Sequence, residues 1–181
     1  MSHRIITDVV QNSRRRLLGA ALLWPAYALA QGCGRATPQQ TEGPFFKPRS
    51  PMRTSLLDGK PATLVVTGQV LSRDCKPLAN TLLDFWHADE HGEYDNQGFR
   101  YRGHQFTDAQ GRYRLETIVP AEYPGRARHI HVKLQPQGAR VLTTQLYFPN
   151  EPSNQRDGIF RPDLVMQLKE RGQGAYDFVV G

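Results

Sequence analysis

His129 and His131 stand two residues apart in the run Arg126-Ala127-Arg128-His129-Ile130-His131-Val132-Lys133-Leu134. In a β-strand alternate side chains point to opposite faces. Both imidazoles would then share one face, while Ile130, Val132 and Leu134 supply a core face. Two imidazoles so placed can converge on one metal ion. A His-x-His pair alone is often an ordinary strand feature, and where it binds metal the usual occupant is zinc. Two tyrosines change the chemistry. Tyr123 lies just ahead of the pair in Pro120-Ala121-Glu122-Tyr123-Pro124-Gly125. Tyr94 lies past the end of another strand-like segment, in Trp86-His87-Ala88-Asp89-Glu90-His91-Gly92-Glu93-Tyr94. A phenol ligates only as phenolate. Its free pKa is near ~10, so a strong cation must hold it ionised. Two phenolates with two imidazoles form a hard donor set that favours Fe(III) over Fe(II) and over zinc. That set leaves a position open for substrate and differs from the two-His-one-carboxylate Fe(II) pattern.

Such a site needs a rigid frame, and the sequence reads as strands. Short segments rich in β-branched and aromatic residues, bounded by turn signals, run at 63–71, 81–87, 112–118, 129–135, 141–148 and 176–180. Only 163–171 reads as a short helix. The pattern predicts an all-β fold, an antiparallel β-sandwich with long loops and little helix, over residues 63–181. Residues 31–62, rich in Pro, Gly and polar side chains around 37–51, read as an extended N-terminal arm. The connection from Ala88 to Gln110 is long for a compact domain, and loops of that length are often functional. It carries Tyr94.

Residues 1–30 read as an export signal. Ser13-Arg14-Arg15-Arg16-Leu17-Leu18 opens an apolar stretch ending at Ala28-Leu29-Ala30, and the arginines after a serine match the twin-arginine type. That route carries folded proteins to the periplasm and suits a protein that loads its metal beforehand. The whole chain carries a formal charge of +6, and the remainder without this segment about +3. Its basic residues are scattered, so no nucleic-acid surface is expected. No apolar run is long enough for a membrane span. Cys33 and Cys75 would pair in an oxidising compartment and pin the arm to the body. The alternatives are two unrelated thiols, or a lipid anchor on Cys33, for which Ala30-Gln31-Gly32 is a poor signal.

The motifs in order carry a resemblance. They are Thr41-Glu42-Gly43-Pro44-Phe45-Phe46, Asp84-Phe85-Trp86-His87-Ala88 with Gly92-Glu93-Tyr94, Thr107-Asp108-Ala109-Gln110-Gly111-Arg112-Tyr113, Thr117-Ile118-Val119-Pro120 with Tyr123-Pro124, Arg126 with His129-Ile130-His131, and Leu142-Thr143-Thr144-Gln145-Leu146-Tyr147-Phe148. From about residue 37 onward the chain resembles the intradiol ring-cleavage dioxygenases, the family of protocatechuate 3,4-dioxygenase and catechol 1,2-dioxygenase. The resemblance implies a mononuclear non-haem Fe(III) held by Tyr94, Tyr123, His129 and His131. It implies Arg126 and Gln145 beside the bound ring, Thr41, Gly43 and Pro44 at the substrate mouth, and a small aromatic diol and O2 as partners. Tyr94 is expected to leave the metal with a substrate proton. A homo-oligomer is compatible with the pattern. Ala127-Arg128 departs from the family's usual pair before His-x-His and places a charge near the mouth. The residues before the motifs do not resemble the helical region of catechol 1,2-dioxygenases, which makes the protocatechuate type the nearer likeness.

Other residues have plainer readings. Tyr101 is a poorer ligand candidate than Tyr94. Tyr113 and Tyr147 read as strand packing with a hydrogen-bonded tip. His87, His91 and His104 read as loop or supporting residues, and Trp86 as core. Two rivals remain: a zinc hydrolase recruiting Glu116 or Glu122 beside the His pair, and a non-enzymatic exported sandwich that binds carbohydrate or protein.

Overall fold

The computed structural model describes residues 33–181, and the expected export segment lies outside them. Among the described residues nine strands form two sheets. In chain order they are β1 (Leu64–Ser72), β2 (Leu82–Trp86), β3 (Arg102–Phe106), β4 (Arg112–Thr117), β5 (His129–Gln135), β6 (Leu142–Tyr147), β7 (Gln167–Lys169), β8 (Gln173–Ala175) and β9 (Phe178–Val180). One sheet runs β4-β1-β8-β7, with β9 also on β1, and the other runs β3-β2-β5-β6. Pairing is antiparallel except that β8 and β9 lie parallel to β1. Among the described residues no helix is long and apolar enough to cross a membrane.

Alternation builds the core. Leu64, Val66 and Val70 of β1 and Leu115 of β4 face Leu83 and Phe85 of β2 and Ile130, Val132 and Leu134 of β5, all fully buried. Gly68 is required where it stands: a Cβ there would lie 1.8 Å from the Tyr176 carbonyl oxygen. That carbonyl also accepts the Tyr113 hydroxyl at 2.9 Å, so Tyr113 has the packed ring and bonded tip expected of it. His87 is buried at the end of β2 and bridges to the other sheet, with Nε2 2.6 Å from Thr117 Oγ1. Its pKa is pulled down to about 4 by burial, so it serves the fold as a neutral ring.

Two expectations change. Residues 163–171 are not a helix. Pro162–Leu164 makes one 3-10 turn, Val165 is extended, and Gln167–Lys169 is β7, paired with β8. Ladder bonds to β8 outweigh the helical propensity of a few polar residues. The connection from Ala88 to Gln110 is also not all loop, because it contains β3. That strand inverts the usual signal, burying Arg102 and Gln105 and exposing Phe106, so alternation could not reveal it. Gln105 joins the outer strands of the two sheets: its Nε2 donates to the Arg114 carbonyl at 2.8 Å and its Oε1 accepts the Arg114 N–H at 3.2 Å.

Residues 33–62 lie along the body without a named strand, touching it through isolated bridges at Met52 and Ser55. The segment covers the face of the second sheet that carries the histidines. Thr37 N–H donates to the Val179 carbonyl, Gln40 N–H to the Thr143 carbonyl, and Thr144 Oγ1 to the Pro38 carbonyl at 2.7 Å. Cys33 and Cys75 form a disulfide that fastens the start of this segment to the turn after β1.

Candidate metal centre

Strand β5 turns His129 and His131 away from the core, as alternation requires, yet both are almost fully buried, His131 between Trp86 and Gly43 of the arm and His129 beside Tyr147 and Tyr94. One row runs across the sheet at this level: Arg102 opposite Trp86, Trp86 opposite His131, and His131 opposite Gln145. The Trp86 indole stacks on the His131 ring, centroids 4.7 Å apart and planes within 6°. Trp86 is therefore buried as expected, with the added task of fixing a ring.

The loops bring in the phenols. Ala121 N–H donates to the Asp89 carbonyl at 2.9 Å, joining the two tyrosine loops. Gly92 adopts φ +84°, and a Cβ there would lie 2.3 Å from the Glu122 carbonyl oxygen, so only glycine lets the loops meet this closely. The Tyr94 and Tyr123 rings meet edge to face at 5.9 Å. The Tyr94 hydroxyl lies 3.4 Å from His129 Nε2, which lies 3.0 Å from His131 Nε2.

The donors fit a cation. His129 Nδ1 lies 2.6 Å from the Ala127 carbonyl oxygen, which places its proton there and turns the Nε2 lone pair inward. Burial holds the His129 pKa down at about 4 and that of His131 well below the ordinary histidine value, so both imidazoles are neutral, as ligands must be. Burial pushes the Tyr94 phenol up, against the pull of Arg126 and Arg102. Its ionised form therefore needs a strong cation beside it. Among the described residues no group of three His, Cys, Asp or Glu side chains could hold a metal. Glu116 sits on β4 in the other sheet, 2.8 Å from Arg114, and Glu122 is exposed. Neither carboxylate proposed for a zinc site is grouped with the His pair, and the side-chain oxygen that lies beside it is the Tyr94 phenol.

Arg126 and Gln145 also converge. Arg126 Nη2 donates to Gln145 Oε1 at 2.6 Å and to the Tyr147 hydroxyl at 3.1 Å, and its Nε lies 2.9 and 3.1 Å from the two oxygens of buried Asp157. Tyr147 donates to Gln145 Oε1 at 2.9 Å, so it is more than a packing residue. Gln145 Nε2 donates to the Thr41 carbonyl at 3.0 Å. A Cβ on Gly43 would lie 3.6 Å from His131 Cε1, and Pro44 beside it is exposed. Thr41 and Gly43 thus border the centre, with Pro44 next in the chain. Arg128 is paired with Glu151 at 3.2 Å, which tempers its charge. Of the other two described histidines, His91 stays in the Tyr94 loop, its N–H on Asp89 Oδ1 at 2.9 Å, and His104 lies within β3, its Nδ1 3.2 Å from Ser50 Oγ; the Tyr101 hydroxyl donates to Glu90.

Three residues escaped the sequence reading. Phe45 stacks on Tyr94 at 4.3 Å with planes 11° apart and meets Tyr123 edge-on at 5.2 Å. It was visible within the Thr41–Phe46 motif but has no polar atom to draw notice. Asp157 lies 31 residues from Arg126 and has no local signature. Arg102 sat in a segment read as loop.

A family model described as a dioxygenase matches residues 41–180. Catechol 1,2-dioxygenase of Acinetobacter baylyi is 31% identical over 174 residues, covering 78% of this chain and 56% of that protein. The β chain of protocatechuate 3,4-dioxygenase from Burkholderia cepacia is 37% identical over 130 residues, covering 60% of this chain and 55% of that one. The chain thus spans just over half the length of these relatives. Among solved structures, the dioxygenase domain of a dioxygenase–carbohydrate-binding fusion from Streptomyces sp. SirexAA-E superposes with a TM-score of 0.77 at 55% identity, covering 81% of this chain and 98% of that domain. A match of that extent, on a β-sandwich whose loops gather two tyrosines around two histidines, makes this chain a member of the intradiol ring-cleavage dioxygenase family.

Proposed function

We propose that the chain cleaves a catechol-type diol between its two hydroxyl-bearing carbons with O2, giving a muconate-type dicarboxylate. Tyr94, Tyr123, His129 and His131 would hold a mononuclear ferric ion. Bound there, Fe(III) supplies Lewis acidity toward the diol and the electronic path that makes its ring reactive to O2. The observation that carries the reading is that His129 Nε2 lies 3.4 Å from the Tyr94 hydroxyl and 3.0 Å from His131 Nε2, with the Tyr123 ring against Tyr94.

The chain's own groups divide the remaining work. Tyr94 is stacked by Phe45 and lies 6.0 Å beneath the Arg102 guanidinium, so it is clamped. Tyr123 has edge contacts and stands beside a turn with Gly125 at φ +79°. Packing therefore favours Tyr123, rather than Tyr94, as the phenol that swings aside and takes a substrate proton on its oxygen. Arg126, already oriented, holds negative charge that develops on the ring. Thr41, Gly43 and Pro44 shape the entrance.

We also propose that the chain acts in an oxidising compartment after twin-arginine export. The Ser13–Ala30 pattern and the Cys33–Cys75 bond support this, and that bond occupies the sulfur a lipid anchor would need. Purified protein should be red-brown, hold equimolar iron, and consume O2 only when given a vicinal diol. A pale protein that prefers zinc, or takes up no metal, overturns the reading.

A further inference from the structure

Arg102 opens β3 with its side chain among the largest that are fully buried, 1% exposed. Its hydrogen bonds go to main-chain carbonyls: Nη1 donates to Phe45 at 2.6 Å and Nε to Asp95 at 3.1 Å. Its Nη2 is buried without a partner. Burying a guanidinium without a bonded carboxylate is costly. A neutral side chain could tie two carbonyls more cheaply, so the location of the charge is informative. Three elements meet at this one group. Phe45 belongs to the arm and stacks flat on Tyr94. Asp95 is the residue after Tyr94. The guanidinium carbon lies 6.0 Å from the Tyr94 ring centroid, within reach of cation–π attraction. The main chain of Arg102 is itself fixed, its N–H on the Phe99 carbonyl and its carbonyl accepting Arg53 Nε at 3.0 Å.

We propose that Arg102 is the positioning residue for Tyr94. One buried guanidinium docks Phe45 on one face of the phenol, anchors the chain immediately after it, and presents a fixed positive charge to its ring. The phenol oxygen is thereby kept beside His129 Nε2. The inference rests on the reading of Tyr94 as a metal ligand for its consequence, and on the geometry alone for the clamp.

The test compares wild type with Arg102→Lys and Arg102→Gln. Hydrogen exchange on metal-free protein reports the clamp, and competition with a chelator reports iron affinity. Both variants should exchange faster at residues 43–47 and 94–98 while β5 stays protected. Iron affinity should fall about tenfold or more in Arg102→Gln, the order seen when a ligand's outer support is removed. Arg102→Lys, which keeps the charge but cannot span both carbonyls, should recover part of that loss. Phe45→Ala covers the case in which Arg102→Gln does not fold. With the guanidinium intact, it should weaken iron binding while residues 94–98 stay protected. Unchanged exchange in both segments overturns the clamp. Equal iron affinity in wild type, Arg102→Gln and Phe45→Ala overturns the positioning role. If wild type itself binds no iron while exchange responds as described, the ligand reading fails and the clamp stands.

Discussion

Arg126 is oriented by its neighbours before any substrate arrives. Asp157, with its side chain almost fully buried, grips Nε, while Gln145 and Tyr147 share Nη2. A charge already aimed costs no reorganisation during the reaction, which is where enzymes gain most from electrostatics. Arg126→Ala should keep iron and colour but lower kcat about 10²- to 10³-fold, the range for loss of one preorganised donor. Oxygen uptake beside an iron assay checks this, and an unchanged rate removes the role. The phenols are separable by absorption. Tyr123→Phe should shift or abolish the visible phenolate-to-iron band, and an identical spectrum would exclude Tyr123 as a ligand.

At the scale of the element, β5 does two jobs with one alternation. Ile130, Val132 and Leu134 fill the core, and the intervening positions present the histidines. Leu134 lies away from the donors and is fully buried, so Leu134→Ala should cost about 2–5 kcal/mol of stability, read by denaturant titration. Iron content of the folded fraction should not change. This strand was fully legible in the sequence because its period and its chemistry coincide. The Tyr94 and Tyr123 loops were legible as motifs, since aromatic, Gly and Pro residues cluster there. β3 was not, because its buried positions hold Arg102 and Gln105, whose partners lie on the arm and on β4. Nor was β7, whose exposed Gln-Leu-Lys becomes a strand only through the ladder to β8.

For the molecule as a whole, the arm is the part whose place least follows from local sequence. It has no strand of its own, yet it sets Gly43 against His131, supplies Phe45, and offers the Thr41 carbonyl to Gln145. Its start is fastened by a disulfide closing a separation of 42 residues. A loop of that length corresponds to about 4 kcal/mol in the chain-entropy model. Cys75→Ser, with Cys33→Ser as its partner control, should lose about 3–4 kcal/mol in denaturant melts. Reductant should lower the wild type to the same level and leave the variants unmoved.

Gln105 has a bearing on solubility. Strand β4 ends its sheet, and an end strand normally offers bare peptide groups to any passing chain. Here one side-chain amide occupies the N–H and the carbonyl of Arg114, imitating a further rung of the ladder. Asp108 does the same for Arg112, and the arm takes the N–H and carbonyl of Glu116 through Thr54 and Leu56, so a neighbouring molecule that tried to extend this sheet would have to evict all three before stitching itself along that border.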